Sequence, residues 1–455
     1  MKLSLYVKML AGLAALTSYG QTINVNIKAY LEGPFNGTMM GTSLNSNNYL
    51  PLTQPYNTAP WYYQGTESVA AIPNADVVDW VLVELRETAG DASTAYEEDS
   101  IASQAGFILK NGNIVSLDGV SPIQFSYTIT YKLYAVVYHR NHLPVLSGGQ
   151  LILNAGNYSW DFTASADQAY GGSNAHKEIT PGIWGMISGD GDANGQVNNA
   201  DKNDVWKPQS GSSGYKAGDF SMNGQVDNVD KNDLWKVNSG KSSQVPGPWT
   251  CGKPIADVRD EQIYTTMQIG TQCWMQENLN IGTMIQGTSN QTNNAVIEKY
   301  CYDNSTANCD VYGGLYLWDE MMQYTTTPGV KGICPDGWHL PTDVEYCTLT
   351  QFLDPTVDCG ITGWSGWYIG MVMKSTTGWY SNNGTNTSGF TALPGGERTT
   401  NGIFDGETFY AFFWTSTEDD SSAAWARDLK FNNTQIGRSD YGKSHHGFSV
   451  RCLKD

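Results

Sequence analysis

The chain has 455 residues, 26 of them basic and 45 acidic, for a net charge of −19, which repels phosphate backbones and argues against nucleic-acid binding. Charged residues make up only 16%, while 49 glycines and 12% aromatics fill the difference; that mix favours strands and turns and excludes a coiled coil or a helical solenoid. A 40% hydrophobic share with 26 Tyr and 15 Trp supplies sizeable cores and excludes disorder, and at about 150 residues per domain the chain holds roughly three domains.

The N-terminus carries Lys2 and Lys8, an apolar stretch from Val7 to Leu16, and the small residues Ser18 and Gly20. This predicts a secretory signal peptide over residues 1–20, cut before Gln21. No other segment approaches the roughly 18 apolar residues of a membrane span. The expected location is therefore secreted or at the cell surface. All 8 cysteines lie at or beyond Cys251, which in an exported chain reads as disulfides in a separate module.

Residues 21–182 read as an all-β sandwich. The runs Val77–Leu85 and Tyr134–Tyr138 are rich in β-branched and aromatic residues. Phe125, Tyr127, Ile129 and Tyr131 alternate with polar residues, as in a strand with one buried face. Asn111-Gly112 and Asp118-Gly119 mark tight turns. His139-Arg140-Asn141-His142 has the look of half a zinc site, but no second pair completes it, so it reads as a solvated loop.

A duplication follows. The stretches Gly189–Lys207 and Gly218–Lys236 lie 29 residues apart and agree at 13 of 19 positions. A calcium loop needs oxygens at positions 1, 3, 5, 7, 9 and 12, with glycine at 6 for the turn. The first copy offers Asp190, Asp192, Asn194, the Gln196 carbonyl, Asn198 and Asp201 around Gly195. The second offers Asp219, Ser221, Asn223, the Gln225 carbonyl, Asp227 and Asp230 around Gly224. Two structural Ca²⁺ ions are expected, with Val197 and Val226 at position 8 pairing the loops. Position 12 is Asp rather than Glu, and no helix enters either loop. This loop-plus-helix duplication at 185–238 resembles a dockerin, which implies two calcium sites and a cohesin-like domain as a possible partner. The Lys-Asn-Asp-x-Trp-Lys helices depart from cellulosomal dockerins, so a spacer role stands beside docking.

A Gly/Ser/Pro linker at 239–250 leads into the cysteine-bearing block, 251–455. Thr342-x-x-Glu345 is a capping box, with Tyr346, Leu349 and Leu353 on one helical face. Leu315, Trp318 and Met322 suggest a second helix. After Trp414 the sequence alternates: Trp425, Arg427, Leu429 and Phe431 on one side, Ala426, Asp428 and Lys430 on the other. Asn432-Asn433 turns that strand into a hairpin.

Asp257–Tyr264, Ile269–Leu279, Gly332–Thr342, Gly389–Gly396, Phe413–Glu418 and Gly447–Cys452 together resemble the Fibrobacter succinogenes major paralogous domain, an extracellular module. The resemblance covers essentially 251–455 and implies an α+β fold of C-type-lectin-like form. The two preceding blocks resemble Bacteroidetes surface proteins loosely called haemagglutinin-like. Eight cysteines allow 105 connectivities. The preferred set is Cys251–Cys273, Cys301–Cys309, Cys347–Cys359 and Cys334–Cys452, the last because lectin-like folds tie the sequence before the helix to the final strand. The Glu-Pro-Asn, Gln-Pro-Asp and Trp-Asn-Asp motifs of calcium-dependent sugar chelation are absent.

No nucleophile elbow, phosphate loop or dinucleotide fingerprint occurs, so no enzyme is expected. The leading expectation is a non-enzymatic binding or adhesion protein whose calcium-stiffened joint presents a lectin-like head to a glycan or surface protein. Candidate contacts are Trp425, Asp428, Lys430, Asn432, Asn433, Gln435, Arg438, Asp440, Tyr441 and Lys443; Trp425 reads equally well as core. The alternatives are a dockerin-borne accessory subunit of a polysaccharide-degrading complex, and an enzyme with an unrecognised site.

Overall fold

The computed structural model describes residues 21–455; the signal-peptide reading of residues 1–20 lies outside the described residues. The chain is mostly β and divides into two compact units, one running to Glu87 and then over Ala95–Val245, the other comprising Thr88–Thr94 and Pro246–Asp455. Among the described residues no helix is long and apolar enough to cross a membrane.

The first unit is built on strands β1 (Thr22–Lys28), β2 (Val77–Thr88), β3 (Ser100–Leu109), β4 (Asn113–Val115), β5 (Ile123–Ser126), β6 (Lys132–His139), β7 (His142–Leu146), β8 (Ile152–Asn154) and β9 (Asn157–Asp161). They pair in the order β7-β6-β2-β3-β4-β1-β9-β8, with β5 also on β1. This corrects the expected sandwich: the strands form one hydrogen-bonded path rather than two separate sheets. The reason lies in β1, which is saturated on both edges, by β9 in parallel and by β4 and β5 antiparallel. The path turns on itself, since the Leu151 amide beside β8 donates to the Leu133 carbonyl of β6. Inside lie Val25, Ile27, Val81, Val83, Phe107, Val137 and Val145. On β1 these alternate with outward Asn24, Asn26 and Lys28, the period-2 pattern of a half-buried strand.

The alternating run from Phe125 keeps its burial rhythm but leaves the ladder at Ser126, so the strand is shorter than its pattern. Asn111-Gly112 and Asp118-Gly119 do turn the chain, with Gly112 and Gly119 at φ 89° and 76°, where a side chain would be strained. A short hairpin, β10 (His176–Thr180) and β11 (Ile183–Met186), leads into the duplicated loops.

The second unit uses β12 (Thr266–Ile269), β13 (Gln272–Met275), β14 (Trp338–His339), β15 (Gly363–Ser365), β16 (Gly395–Arg398), β17 (Phe404–Glu407), β18 (Tyr410–Glu418), β19 (Ala423–Lys430), β20 (Ile436–Gly442) and β21 (Leu453–Lys454). One sheet runs β12-β13-β21-β14, so the last strand sits between early ones; the other runs β15-β20-β19-β18-β16-β17. The helix Asp343–Leu353 starts at a true capping box, with the Thr342 hydroxyl accepting from the Glu345 amide and the Glu345 carboxylate accepting from the Thr342 amide. Its Tyr346 and Leu349 are buried. The second helix is one turn, Trp318–Met321, with Leu315 ahead of it. All eight cysteines are paired, as Cys251–Cys273, Cys301–Cys309, Cys334–Cys452 and Cys347–Cys359, the set preferred from the sequence.

Candidate metal centre and recognition face

Each duplicated loop leads into a helical segment, residues 199–209 and 228–238, whose first turns are wound as π-helix. Gly195 and Gly224 take φ of 82° and 91°, the left-handed conformation the sixth position demands. In the first loop, carboxylate oxygens of Asp190, Asp192 and Asp201 lie within 4.8 Å of one another. Asp201 accepts from the amides of Gly191 (2.8 Å) and Asn198 (2.7 Å), and one oxygen of Asp190 accepts from Gly195 (3.0 Å). The other, Oδ1 of Asp190, is buried with no hydrogen-bond partner. Burial, with Asp201 and Asp192 adding to it, pushes the Asp190 carboxyl up to about 8; burial raises Asp201 to about 6. Such carboxylates are stable together only if a proton or a cation neutralises them.

The second loop repeats the plan. Asp219 accepts from Gly224 (2.8 Å) and Asn223 (3.1 Å), and Asp230 from Ser221 and Asp227 (both 2.8 Å). Burial lifts Asp219 to about 6 against the pull of Arg140, and also raises Asp230. Asn194 and Asn223 accept from the amides of Gln196 and Gln225, and Asn198 and Asp227 from those of Ala200 and Val229, two residues on in each case. The first loop's three carboxylates thus suit a hard, oxygen-seeking cation, and among the described residues no second set of three, including Asp219, Asp227 and Asp230, is gathered as closely.

The expected pairing of Val197 with Val226 does not form. Val197 instead exchanges backbone hydrogen bonds with Gly240 and Lys241, beyond the second helix, and Val226 with Gly211 and Ser212, beyond the first. The halves interlock reciprocally: the Trp206 indole donates to the Asp227 carbonyl (2.8 Å) and the Trp235 indole to the Asn198 carbonyl (2.7 Å). Lys202 lies over Trp235 and Lys231 over Trp206, each 4.7 Å from the ring centre. This also explains the unusual Lys-Asn-Asp-x-Trp-Lys helices, whose Trp and Lys make the crossed contacts.

The solvated-loop reading of His139-Arg140-Asn141-His142 is corrected: all four are buried. They form the β6–β7 turn, and the loops pack on it. The Asp79 carboxylate accepts from Arg140 (2.9 Å) and from the Tyr215 hydroxyl (2.8 Å) and faces His139 (3.2 Å). Burial works against that charge, but Arg140 and His139 outweigh it and hold Asp79 below the usual carboxylate range. The Asn141 carbonyl accepts from Gly189, just before Asp190, and its amide donates to the Asp219 carbonyl (2.7 Å). Position 141 thus meets the first candidate ligand position of both loops, the first through its backbone and the second through the asparagine side chain, a role invisible in sequence because the partners lie up to 78 residues away. Asn141→Ala is expected to weaken cation binding at the second loop about 10- to 100-fold, the usual cost of losing a group that orients ligands, and to spare the first, whose contact is to the backbone; unchanged affinity at the second loop in titration calorimetry would remove that role.

On the second unit, the strand β19 is packed on both faces. Ala424 and Ala426 meet Phe412, Trp414 and Phe448 on one side; Leu429 meets Phe413 and Ile436 on the other. Two of the ten candidate contacts are therefore corrected as interior. Lys443 is buried, ion-paired with Glu418 and 4.7 Å from the Trp318 ring. Asp428 is buried, with Oδ1 unpartnered. Trp425 is half-exposed beneath the Arg438 guanidinium, 3.4 Å from its ring centre, and Arg438 is also bonded to Asp343. Tyr441 packs against Phe412 and Phe448. Lys430 lies over Tyr410. Asn432 and Asp440 are exposed, and Asn433 and Gln435 half-buried in the turn after β19. His339 bonds Glu345 (3.0 Å) and Asp455 (2.8 Å), which raises its pKa and leaves it bracing the helix start.

Burial pushes Asp428 up to about 7, with Arg427 opposing and Glu397 adding. The folded state therefore holds a proton that the unfolded chain releases near pH 4. Stability from this group is full below about pH 4 and is lost as pH rises to 7, by on the order of 4 kcal/mol at most. Asp428→Asn should flatten this fall in urea unfolding between pH 4 and 7; a variant that tracks the wild type would show the carboxyl is not desolvated.

Residues 267–454 match the family model described as the Fibrobacter succinogenes major domain. No curated protein and no solved structure matches the chain significantly.

Proposed function

We propose that this chain is an extracellular, non-enzymatic binding protein, with a first unit braced by two calcium ions and a disulfide-locked, lectin-like second unit as its recognition head. The observation that carries the calcium reading is the buried, partnerless Oδ1 of Asp190 beside the carboxylates of Asp192 and Asp201. A dication there would complete the site and cancel the repulsion. In the second loop Asp219, Ser221, Asn223, the Gln225 carbonyl, Asp227 and Asp230 would take the same roles.

The reading of the head as a binding rather than catalytic unit draws on how two of its charged side chains are used. Arg451 is spent on Asn278 and the carbonyls of Met275, Phe390 and Thr391. Asp343 is spent on Arg427 and Arg438. The docking alternative is favoured by one feature, the matched exposed residues Asn203, Asp204 and Lys207 and Asn232, Asp233 and Lys236 on the two helices. Titration of the chelator-stripped chain should show two Ca²⁺ bound, falling to one in Asp190→Ala. No uptake would sink the calcium reading, and chelator-sensitive capture of a cohesin-like protein would favour docking.

A further inference from the structure

In the second unit, four aromatic side chains stand in solvent around the turn that follows β19. Trp367 is 76% and Tyr380 68% exposed, with Tyr368 and Phe409 also on the surface. Both aromatic groups attach to that one turn. The Gly366 carbonyl accepts from the Gln435 side chain (3.0 Å), and the Gly370 amide donates to the Thr434 carbonyl (2.7 Å), which docks Trp367 and Tyr368 at one end. At the other end the Phe431 amide donates to the Phe409 carbonyl, and Tyr380 stacks on Phe409 (4.8 Å, 22°) and meets Phe431 edge-on.

This loop cluster is held stiffly. Oδ2 of Asp354 accepts from the amides of Trp367 (2.7 Å), Tyr368 (2.9 Å) and Ile369 (3.2 Å), while Oδ1 accepts from Thr356. Lys374 is buried, and its ammonium lies within hydrogen-bond reach of four carbonyls, those of Asn382, Lys430, Phe431 and Asn433, at 3.2–3.3 Å, which its three N–H groups share. It occupies the centre of the cluster as a built-in cation and ties the Asn382 loop to the turn. The binding face is thus ordered before any ligand arrives, which lowers the entropic cost of association.

We infer that this face binds a neutral polysaccharide. Exposed aromatic rings carried on a backbone held by hydrogen bonds mark an interaction site. A sugar ring offers an apolar C–H face to stack on them and a rim of hydroxyls for amides, here the exposed Asn382 and Asn432. The charges that hold the cluster are consumed within it: Asp354 by backbone amides, Lys374 by carbonyls, Arg438 by Asp343. With a net charge of −19 on the whole chain, polyanions are repelled and an uncharged chain is the complementary partner. The inference rests on the binding reading above and names its ligand class.

The test is affinity electrophoresis of the chain from Gln21 through gels containing hydroxyethyl cellulose, a neutral xylan, a mannan or, as counter-probe, polygalacturonate. Retardation by a neutral polymer is expected, weakened at least tenfold in both Trp367→Ala and Tyr380→Ala. Both side chains are mostly solvated, so unfolding curves should not move. Wild-type binding that neither variant weakens overturns the aromatic face but keeps the binding reading. Retardation by polygalacturonate alone overturns the ligand class. If no polymer retards the chain the inference falls; retention on bacterial surface extract would then leave the binding reading standing, and its absence would remove both.

Discussion

Chelating calcium is expected to lower the unfolding temperature of the first unit sharply, while that of the second unit stays put. With free Ca²⁺ at about 100 times its dissociation constant, each ion adds about 2.7 kcal/mol, so two sites contribute about 5 kcal/mol. That is a large part of the stability of an ordinary domain. The loss should reach the β-sheet itself, because the loops share its core: Val197, Phe220, Leu234 and Trp235 pack with Leu143 of β7 and with Ile187. Asn141 ties both loops to the β6–β7 turn. Scanning calorimetry with calcium and with chelator would therefore move the whole first transition rather than split off a small early one. A separate low-temperature transition for the loops, with the sheet melting unchanged, would show that the repeat folds as an independent spacer. A chelator-insensitive scan would remove the calcium reading altogether.

Replacing Cys334 and Cys452 together by serine should be the most damaging of the paired disulfide deletions. This bridge spans 118 residues, against 22, 8 and 12 for the others. Chain-entropy arguments give it about 5 kcal/mol, against roughly 2.5 kcal/mol for the Cys301–Cys309 loop. It also pins the residue just before β21, the strand that closes the sheet between β13 and β14. Urea unfolding of the four double variants should rank them by loop length, with the first unit unaffected in each. A Cys334–Cys452 variant no less stable than the Cys301–Cys309 one would mean that the unfolded second unit is already compact enough to make the long bridge redundant.

Much of the local structure was legible in the sequence because it is written in short-range chemistry. The capping box at Thr342 and Glu345, the glycine turns at Gly112 and Gly119, and the sixth-position glycines Gly195 and Gly224 each follow from a few neighbouring residues. The duplicated loops were legible for the same reason, since their candidate ligands are spaced by the chain itself. Patterns that depend on what lies opposite were misread. Asp428 and Lys443 stand among the candidate contacts by sequence, yet both are interior, and both faces of β19 are covered, by Phe412 and Trp414 on one and Phe413 and Ile436 on the other. Four polar residues at the β6–β7 turn looked solvated, yet the loops and Asp79 close over them.

By itself the sequence determined a mostly β chain, a run of calcium-type oxygen ligands repeated 29 residues on, and a cysteine-bearing C-terminal block. The tertiary structure alone decided that β1 joins its neighbours into one continuous sheet path, that Val197 and Val226 pair across the repeat rather than with each other, and that Asn141, Asp354 and Lys374 are the side chains that hold loops in place. The reason is physical: turns, caps and ligand loops are closed by interactions within a few residues, whereas a buried polar group is defined by partners that only folding brings within hydrogen-bond reach.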